Sequence, residues 1–342
     1  MSSSKVRLFV GVDVGGKDLV VSAGPHGAEA WSGTFSNDTE GHRKLIHALG
    51  SGKGTVRVVV EATGTFHLDL ALALAAKRGL EVMVANPHAA RSFARANMRR
   101  AKTDKVDAVV LRDFAERMPF QPWRAPSTAM LRFRMVTRHM ASLVTDQTVI
   151  KNRLSAAQVT AETPDFVVDD LEDQLKSIGE RIARCQAEAR RLVDADQELA
   201  EAFASLDSAP GIGERSAVLL LGELGLLDPS MSPDEVVGHA GLDPRPVQSG
   251  ARGNGVMARK ISKVGNARVR AAMYMVALTA SRQKGPVREF YERLTARNKP
   301  AFVAQVAVMR RMLRVAWVLM VKRTSWDPAL FAPRESSVPP EG

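Results

Sequence analysis

The chain has 342 residues, 45% of them apolar, enough to bury a sizeable core and too many for a disordered protein. Lysine and arginine outnumber the acids 48 to 37, and the net charge of +11 predicts attraction to polyanions, nucleic acid first and an anionic membrane surface second. One cysteine, Cys185, excludes an internal disulfide framework and fits a reducing compartment, and seven scattered histidines argue against a zinc site.

Met1-Ser2-Ser3-Ser4-Lys5 leads straight into a strand pattern without the apolar stretch of a signal peptide. Residues 302–321 form the longest apolar run, but Arg310, Arg311 and Arg314 interrupt it at the depth where a spanning helix tolerates charge least. The expectation is a soluble, cytoplasmic, nucleoid-associated protein with no membrane partner.

In chain order, residues 6–14 read as a buried strand, Gly15-Gly16 as its turn and 18–23 as the returning strand, with 28–35 as a third. A helix is predicted over 39–49, a buried strand over 56–61 and a helix over 65–78. A core strand over 81–85 follows, closed by Asn86-Pro87. Helices over 88–100 and 103–117 complete an α/β domain, and Pro119 to Pro126 reads as a linker. Leu171, Leu175, Ile178, Ile182, Cys185, Ala189 and Leu192 then recur at heptad spacing, broken at Asp196 and resumed at Leu199, Phe203 and Leu206. Phe133, Val136, Met140, Leu143, Gln147, Ile150, Leu154 and Ala157 form a similar series upstream. Such stripes predict a coiled-coil hairpin or dimerisation stalk, with an ordinary helical bundle as the alternative. Cys185 lies on the stripe and reads as a packed side chain. The predicted domains are 1–124, a helical coiled-coil connector over 125–204, a basic helical domain over 205–326, and a disordered tail over 327–342.

Four acids stand out in the first domain. Asp13 sits inside the apolar strand Phe9-Val10-Gly11-Val12-Asp13-Val14, where an ionised carboxylate is costly unless paired or metal-bound. Glu61 ends the strand 56–61, where open α/β sheets present ligands. Asp104 and Asp107 are three apart on one helix face, with Thr103 as a candidate cap. Four hard oxygen donors suit one or two Mg²⁺ ions, the arrangement that clamps attacking and leaving oxygens in phosphodiester transfer. Taken by themselves, Asp104 and Asp107 read more commonly as a solvated face; Asp18, Asp113 and Glu116 read as surface charge.

The last third is strongly basic. From Arg245 to Arg323 there are 18 lysines and arginines against Glu289 and Glu292, a net +16. Ser208-Ala209-Pro210-Gly211-Ile212-Gly213 resembles a helix-hairpin-helix, whose Gly211 and Gly213 expose backbone N–H groups to a phosphate; a plain helix turn explains them too. Ser249 lies in the glycine-rich loop Gln248-Ser249-Gly250-Ala251-Arg252-Gly253, where a turn residue is the ordinary reading. Nucleic-acid contacts are expected at Arg91, Arg95, Arg99, Arg100, Lys102 and Lys105 beside the acids. In the basic domain they are expected at Arg245, Arg252, Lys263, Arg268 and Arg270, with Asn266 capping the helix that follows.

The early strand with central Asp13, the second strand ending in Glu61 and the run Thr103-Asp104-Lys105-Val106-Asp107-Ala108 resemble a RuvC-like DEDD domain of the ribonuclease-H superfold. Together with the heptad connector, Gly241-Leu242-Asp243-Pro244 and Ser249-Gly250, the chain resembles the insertion-sequence transposases known as bridge-RNA-guided recombinases, from about Leu8 to Arg323. That resemblance implies catalysis by Asp13, Glu61, Asp104, Asp107 and Ser249, the acids holding Mg²⁺ and the serine forming a covalent phosphoserine. It also implies donor and target DNA duplexes and a structured guide RNA as partners, and a homodimer or homotetramer in which the acids of one protomer meet the serine of another. Arg245, Arg252 and Arg268 are candidates for stabilising the pentacoordinate phosphate.

Other classes stay open on the residues alone. A hydrolytic junction nuclease needs the acids but not Ser249. Val12-Asp13-Val14-Gly15-Gly16-Lys17 resembles the phosphate loop of actin-like sugar kinases, though a second Asp-Gly-Gly loop is missing and a kinase needs no basic tail domain. A tyrosine recombinase would use Tyr274 or Tyr291, both on amphipathic helices where packing is the default. A purely binding protein would use none of the acids.

Overall fold

The computed structural model describes residues 6–26, 30–50, 54–62, 64–97, 104–245 and 260–331. Arg99, Arg100, Lys102, Thr103, Ser249 and Arg252 lie outside the described residues. The chain divides into two compact units, Met1–Ala125 and Pro126–Gly342.

The first unit is a mixed five-stranded sheet in the order β3-β2-β1-β4-β5, formed by β1 (Val6–Val14), β2 (Asp18–Gly24), β3 (Trp31–Ser36), β4 (Thr55–Glu61) and β5 (Leu80–Ala85). β1, β2 and β3 pair antiparallel, whereas β1, β4 and β5 run parallel. Helices cover both faces, which is why β1 and β4 are near-continuous runs of apolar residues. Alternation sorts those residues. Val10, Val12, Val58 and Val60 pack with Leu45 of α1 (Thr39–Leu49) and Leu70 and Leu74 of α2 (Leu68–Ala75). Phe9, Val59 and Ala85 face the other way, onto Ala90 of α3 (Pro87–Ala96) and Leu111, Phe114 and Ala115 of α4 (Asp104–Arg117). A ribonuclease-H-like domain has this mixed α/β form.

Some boundaries move from expectation for local reasons. Residues 65–67 form a turn rather than helix, and no side chain caps α2. Asn86 does more than close β5, since its side chain accepts from the His88 N–H at 2.8 Å and starts α3 with Pro87 in the first turn. The expected linker is held to the sheet: Trp123 donates its backbone N–H to the Val82 carbonyl at 2.6 Å and packs against the core.

In the second unit, α5 (Thr128–Ala157) and α6 (Asp165–Asp194) are 30 residues each, about 45 Å long, and pack on one another as a hairpin. Leu171, Ile178, Ile182 and Ala189 from one stripe and Phe133, Met140, Leu143 and Ile150 from the other are buried. Asp196, where the stripe breaks, caps α7 (Gln197–Asp207) by accepting from the Leu199 N–H at 3.0 Å. The remaining elements are α8 (Glu214–Leu224), α9 (Pro233–His239), the short ribbon β6 (Pro244–Arg245) and β7 (Lys260–Ile261), α10 (Ala267–Ala280), α11 (Pro286–Ala296) and α12 (Ala301–Lys322). They share one apolar core with the hairpin, and α12 runs through it with Val308, Met312, Leu313 and Leu319 fully buried. Among the described residues no helix is long and apolar enough to cross a membrane. Part of the expected disordered tail is folded: Pro328–Phe331 forms a 3-10 turn, and Phe331 is buried against Phe290 and Trp326 because its ring is too apolar to leave in water.

Candidate active site

Strand alternation places Asp13 and Glu61. Asp13 is two residues beyond Gly11 and Glu61 two beyond Val59, so both acids belong to the sheet face that α4 covers. The parallel register pairs Gly11 with Val59 and Val12 with Val60, leading toward Asp13 and Glu61 at neighbouring strand ends. Gly11 is what lets α4 sit so close. A Cβ there would lie 2.1 Å from the Ala108 carbonyl oxygen and 2.2 Å from the Arg112 nitrogen. Backbone therefore rests on backbone, one residue from Asp107 and a turn from Asp104.

The electrostatics follow from that packing. Asp13 is half-buried, and its carboxyl is pushed up from 3.8 to about 6 by burial first, then by the charges of Asp107, Asp104 and Glu61. The backbone N–H of Val14 works the other way and is outweighed. Three carboxylates from β4 and α4 thus act on Asp13 of β1, and all three raise it. Their separation is looser than a ligand shell: no group of three or more His, Cys, Asp or Glu among the described residues is spaced to hold an ion. The donor set nonetheless fits a hard divalent cation, because mutual repulsion of acids is what such an ion relieves.

Nearby charges are sorted differently than expected. Asp113 is buried rather than surface-exposed, because it follows the α4 stripe inward and binds Arg112 at 2.8 Å. Glu116 meets His26 at 2.5 Å. Arg91 and Arg95 are exposed four residues apart on α3, and Lys105 is exposed on the first turn of α4.

In the second unit a buried acid, Glu223, ties together α5, α8 and the start of α10. Glu223 on α8 accepts from Arg138 at 2.8 and 3.0 Å and from Asn266 Nδ2 at 2.8 Å, with Arg268 at 3.9 Å and Arg134 at 4.0 Å. Burial alone would raise its carboxyl, but the Arg138 and Asn266 hydrogen bonds and the arginine charges hold it below the ordinary range. The other end of the Asn266 side chain accepts from the Arg268 and Val269 N–H groups, capping α10 as expected. His239 packs into the same region, and burial keeps its imidazole below the ordinary range.

Two of the expected phosphate contacts, Arg270 and Gly211, are used within the fold. Arg270 donates to the Ala240 carbonyl at 2.8 Å, so it braces the turn after α9 instead of facing solvent. Gly211 adopts φ 79° and a Cβ there would meet the Val276 carbonyl at 2.5 Å, so it is a packing glycine against α10. Gly213 has open space around it at the α8 N-terminus. Arg268 is half-exposed, and Lys263 is exposed with φ 53° beside the close contact of Gly241 with residues 263–264. Arg245 lies in the ribbon, its backbone paired with Lys260. Tyr274 is exposed rather than packed, whereas Tyr291 lies against the core.

Sequence reasoning missed Gly11, Asp113 and Glu223. Glu223 carried a faint signal, an acid continuing the apolar run 217–221 through Gly222 to Leu224. Residues 10–160 match a transposase model of the IS110 DEDD type, and residues 204–292 match the model described as transposase IS116/IS110/IS902 family. The chain is 25% identical over 335 residues to the pilin gene-inverting protein of Moraxella bovis, covering 94% of this chain and 98% of that protein. Its counterpart in Moraxella lacunata is 24% identical over 335 residues, with 94% and 98% covered. A 44.8 kDa protein of insertion element IS116 from Streptomyces clavuligerus is 24% identical over 398 residues, with 96% and 98% covered.

Proposed function

Because the chain belongs to the transposase family of IS116, IS110 and IS902, we propose that it breaks and rejoins DNA strands with Mg²⁺ held by Asp13, Glu61, Asp104 and Asp107 and with Ser249 as nucleophile. The observation that carries the reading is the crowding of Asp13 by three other acids, with burial and repulsion together raising it to about 6. A structural carboxylate would have a cation beside it; here the complement is a divalent ion. When bound, that ion stabilises charge developing on the phosphate oxygens. Asp13 must give up its proton to serve as a ligand, and Gly11 seats α4, which carries Asp104 and Asp107, against the strand of Asp13.

The serine step conserves bonds. The Ser249 Oγ–P bond forms as one bridging P–O bond of the DNA breaks; serine loses its proton and the freed deoxyribose oxygen ends as a hydroxyl. Rejoining runs in reverse, an incoming deoxyribose hydroxyl taking the phosphate and serine regaining its proton, so no external phosphate donor is required. Arg245, Arg252 and Arg268 stabilise the pentacoordinate phosphate in this reading, and Arg268 has the half-exposed position the role needs. By family resemblance a structured RNA from the mobile element selects the target, and two or four copies bring the acids of one protomer to the serine of another. A relative named for gene inversion fits the same chemistry applied to two sites in one molecule.

The test is recombination of donor and target plasmids with the element's flanking RNA. Wild type should join the two duplexes, and Asp13→Ala and Ser249→Ala should both be inactive. Strand cleavage surviving in Ser249→Ala would convert the reading to a hydrolytic junction nuclease. Full activity in Asp13→Ala would remove the metal centre from the reaction.

A further inference from the structure

Neither half of that reaction uses Arg310, Arg311 and Arg314. Together α9, α11, α12 and the Pro328–Phe331 turn line a cavity of about 1010 Å³. Its cations are Arg310, Arg311, Arg314 and Lys322, and Asp234 is the facing acid. That acid is already engaged, since Arg314 Nε donates to its Oδ1 at 2.7 Å. Arg310 Nε is buried without a hydrogen-bond partner. Arg311 lies over the rings of Phe290 at 4.9 Å and Phe331 at 4.5 Å, stacking that holds the plane of the guanidinium and leaves its in-plane donors available. Arg310 and Arg314 are four apart on one helix, an unfavourable like-charge pair. Burial first lowers the proton affinity of Arg310 and Arg311; Arg314 adds to this at Arg310 against Asp234 and Asp243, and Arg293 and Arg314 add to it at Arg311. Among the lining residues four cations thus face one carboxylate that Arg314 already occupies, which leaves the cavity short of an anion.

The walls narrow the choice of anion. Val318 and Leu330 supply apolar surface beside the guanidiniums, which inorganic phosphate would leave unused. A base in a duplex is held in its stack, whereas an unpaired base can lie against protein while its phosphate meets arginine. We propose that this cavity binds one unpaired nucleotide of a nucleic-acid strand, with its phosphodiester on Arg310 and Arg311 and its base against Val318 and Leu330. The inference rests on nucleic acid being the substrate, but not on the metal or on Ser249.

Fluorescence anisotropy of the full chain tests it, using labelled single-stranded DNA, single-stranded RNA and a DNA duplex of the same sequence over a salt series. Arg310→Gln and Arg311→Gln should each weaken single-strand binding about tenfold and flatten the salt slope by about 0.7 for each phosphate no longer neutralised. Val318→Trp, which fills the cavity without changing charge, should weaken single-strand binding about tenfold at an unchanged slope. Duplex binding should stay within about twofold in all three, as should every probe with Arg288→Gln, an exposed arginine paired to Glu292. Whichever single strand loses more identifies the source of the nucleotide. Thermal melts of each variant separate lost binding from lost fold. Wild-type affinity in Arg310→Gln and Val318→Trp overturns the site, and equal losses on the duplex or in Arg288→Gln reduce it to general charge. If wild type binds none of the probes, the nucleic-acid reading beneath it fails as well.

Discussion

Asp13 and Glu223 are acids withdrawn from water, one in each unit, and their surroundings are opposite. Glu223 is met by Arg138, Asn266, Arg134 and Arg268, and its carboxyl sits below the ordinary range. Asp13 is met by Asp107, Asp104 and Glu61, and its carboxyl rises to about 6. Both tolerate burial, but among the described residues Glu223 is met by cations and an amide, and Asp13 by acids and one backbone N–H. A carboxylate that finds its partners within the fold is architecture, and one surrounded by its own kind is waiting for something from outside. The same contrast separates Arg138, bound to Glu223, from Arg310, whose Nε has no partner.

The sharpest way to break the contrast is Asp13→Asn. Plasmid recombination should fall by at least about 10³-fold. Unfolding in EDTA should show a first unit more stable by about 1 kcal/mol, a repulsive charge having been removed and the effect discounted for solvent screening. A destabilised variant would mean that Asp13 is structural. Glu223→Ala should cost the second unit about 3–5 kcal/mol in urea melts, since it strands Arg138 and Asn266 together; wild-type stability would show that the network is incidental. Gly11→Ala should cost about 1–3 kcal/mol and weaken Mg²⁺ binding by calorimetry, because its Cβ must displace α4 and with it Asp104 and Asp107. Unchanged Mg²⁺ affinity would detach α4 from the site.

The smallest effect is a divergence with pH in the absence of metal. Asp13 is raised in the fold, so its contribution is most favourable below 3.8 and is lost as pH rises through about 6. His239 is lowered in the fold, so the stability tied to its neutral form is present above 6.5 and is lost as pH falls below it. Glu223 is lowered too and adds its loss below 4.5. From pH 7 to pH 5, hydrogen exchange, corrected for its intrinsic pH dependence, should slow around β1 and α4 and quicken around α8 and α9. Parallel behaviour of the two units would contradict the opposite environments.

What was legible in the chain was local. An aspartate inside an apolar strand, a glutamate at a strand end and two aspartates three apart are patterns along the sequence, and β1, β4 and α4 form where those patterns lie. Heptad spacing likewise foretold many of the buried residues of α5 and α6, though Met130, Thr137 and Val193 are buried off the stripes. Partner choice across the fold was not legible. Arg270 and Arg268 look alike in sequence, yet one braces the Ala240 carbonyl and the other stays half-exposed. Gly211 looked like a phosphate-binding glycine and instead packs on α10, a fact that depends on residues about 65 positions away. Asp113 seemed a surface charge because only the three-dimensional path of α4 turns it inward.

The main-chain seat of α4 on Gly11 also bears on how this protein tolerates drift. Where two elements are spaced by interlocking side chains, each substitution in the seam resets the gap. Here the gap is set by a carbonyl and an amide that every amino acid carries. Valines and leucines on the far face, around Val10, Val58, Leu45 and Leu70, can exchange volume among themselves while the spacing of the acids keeps its gauge.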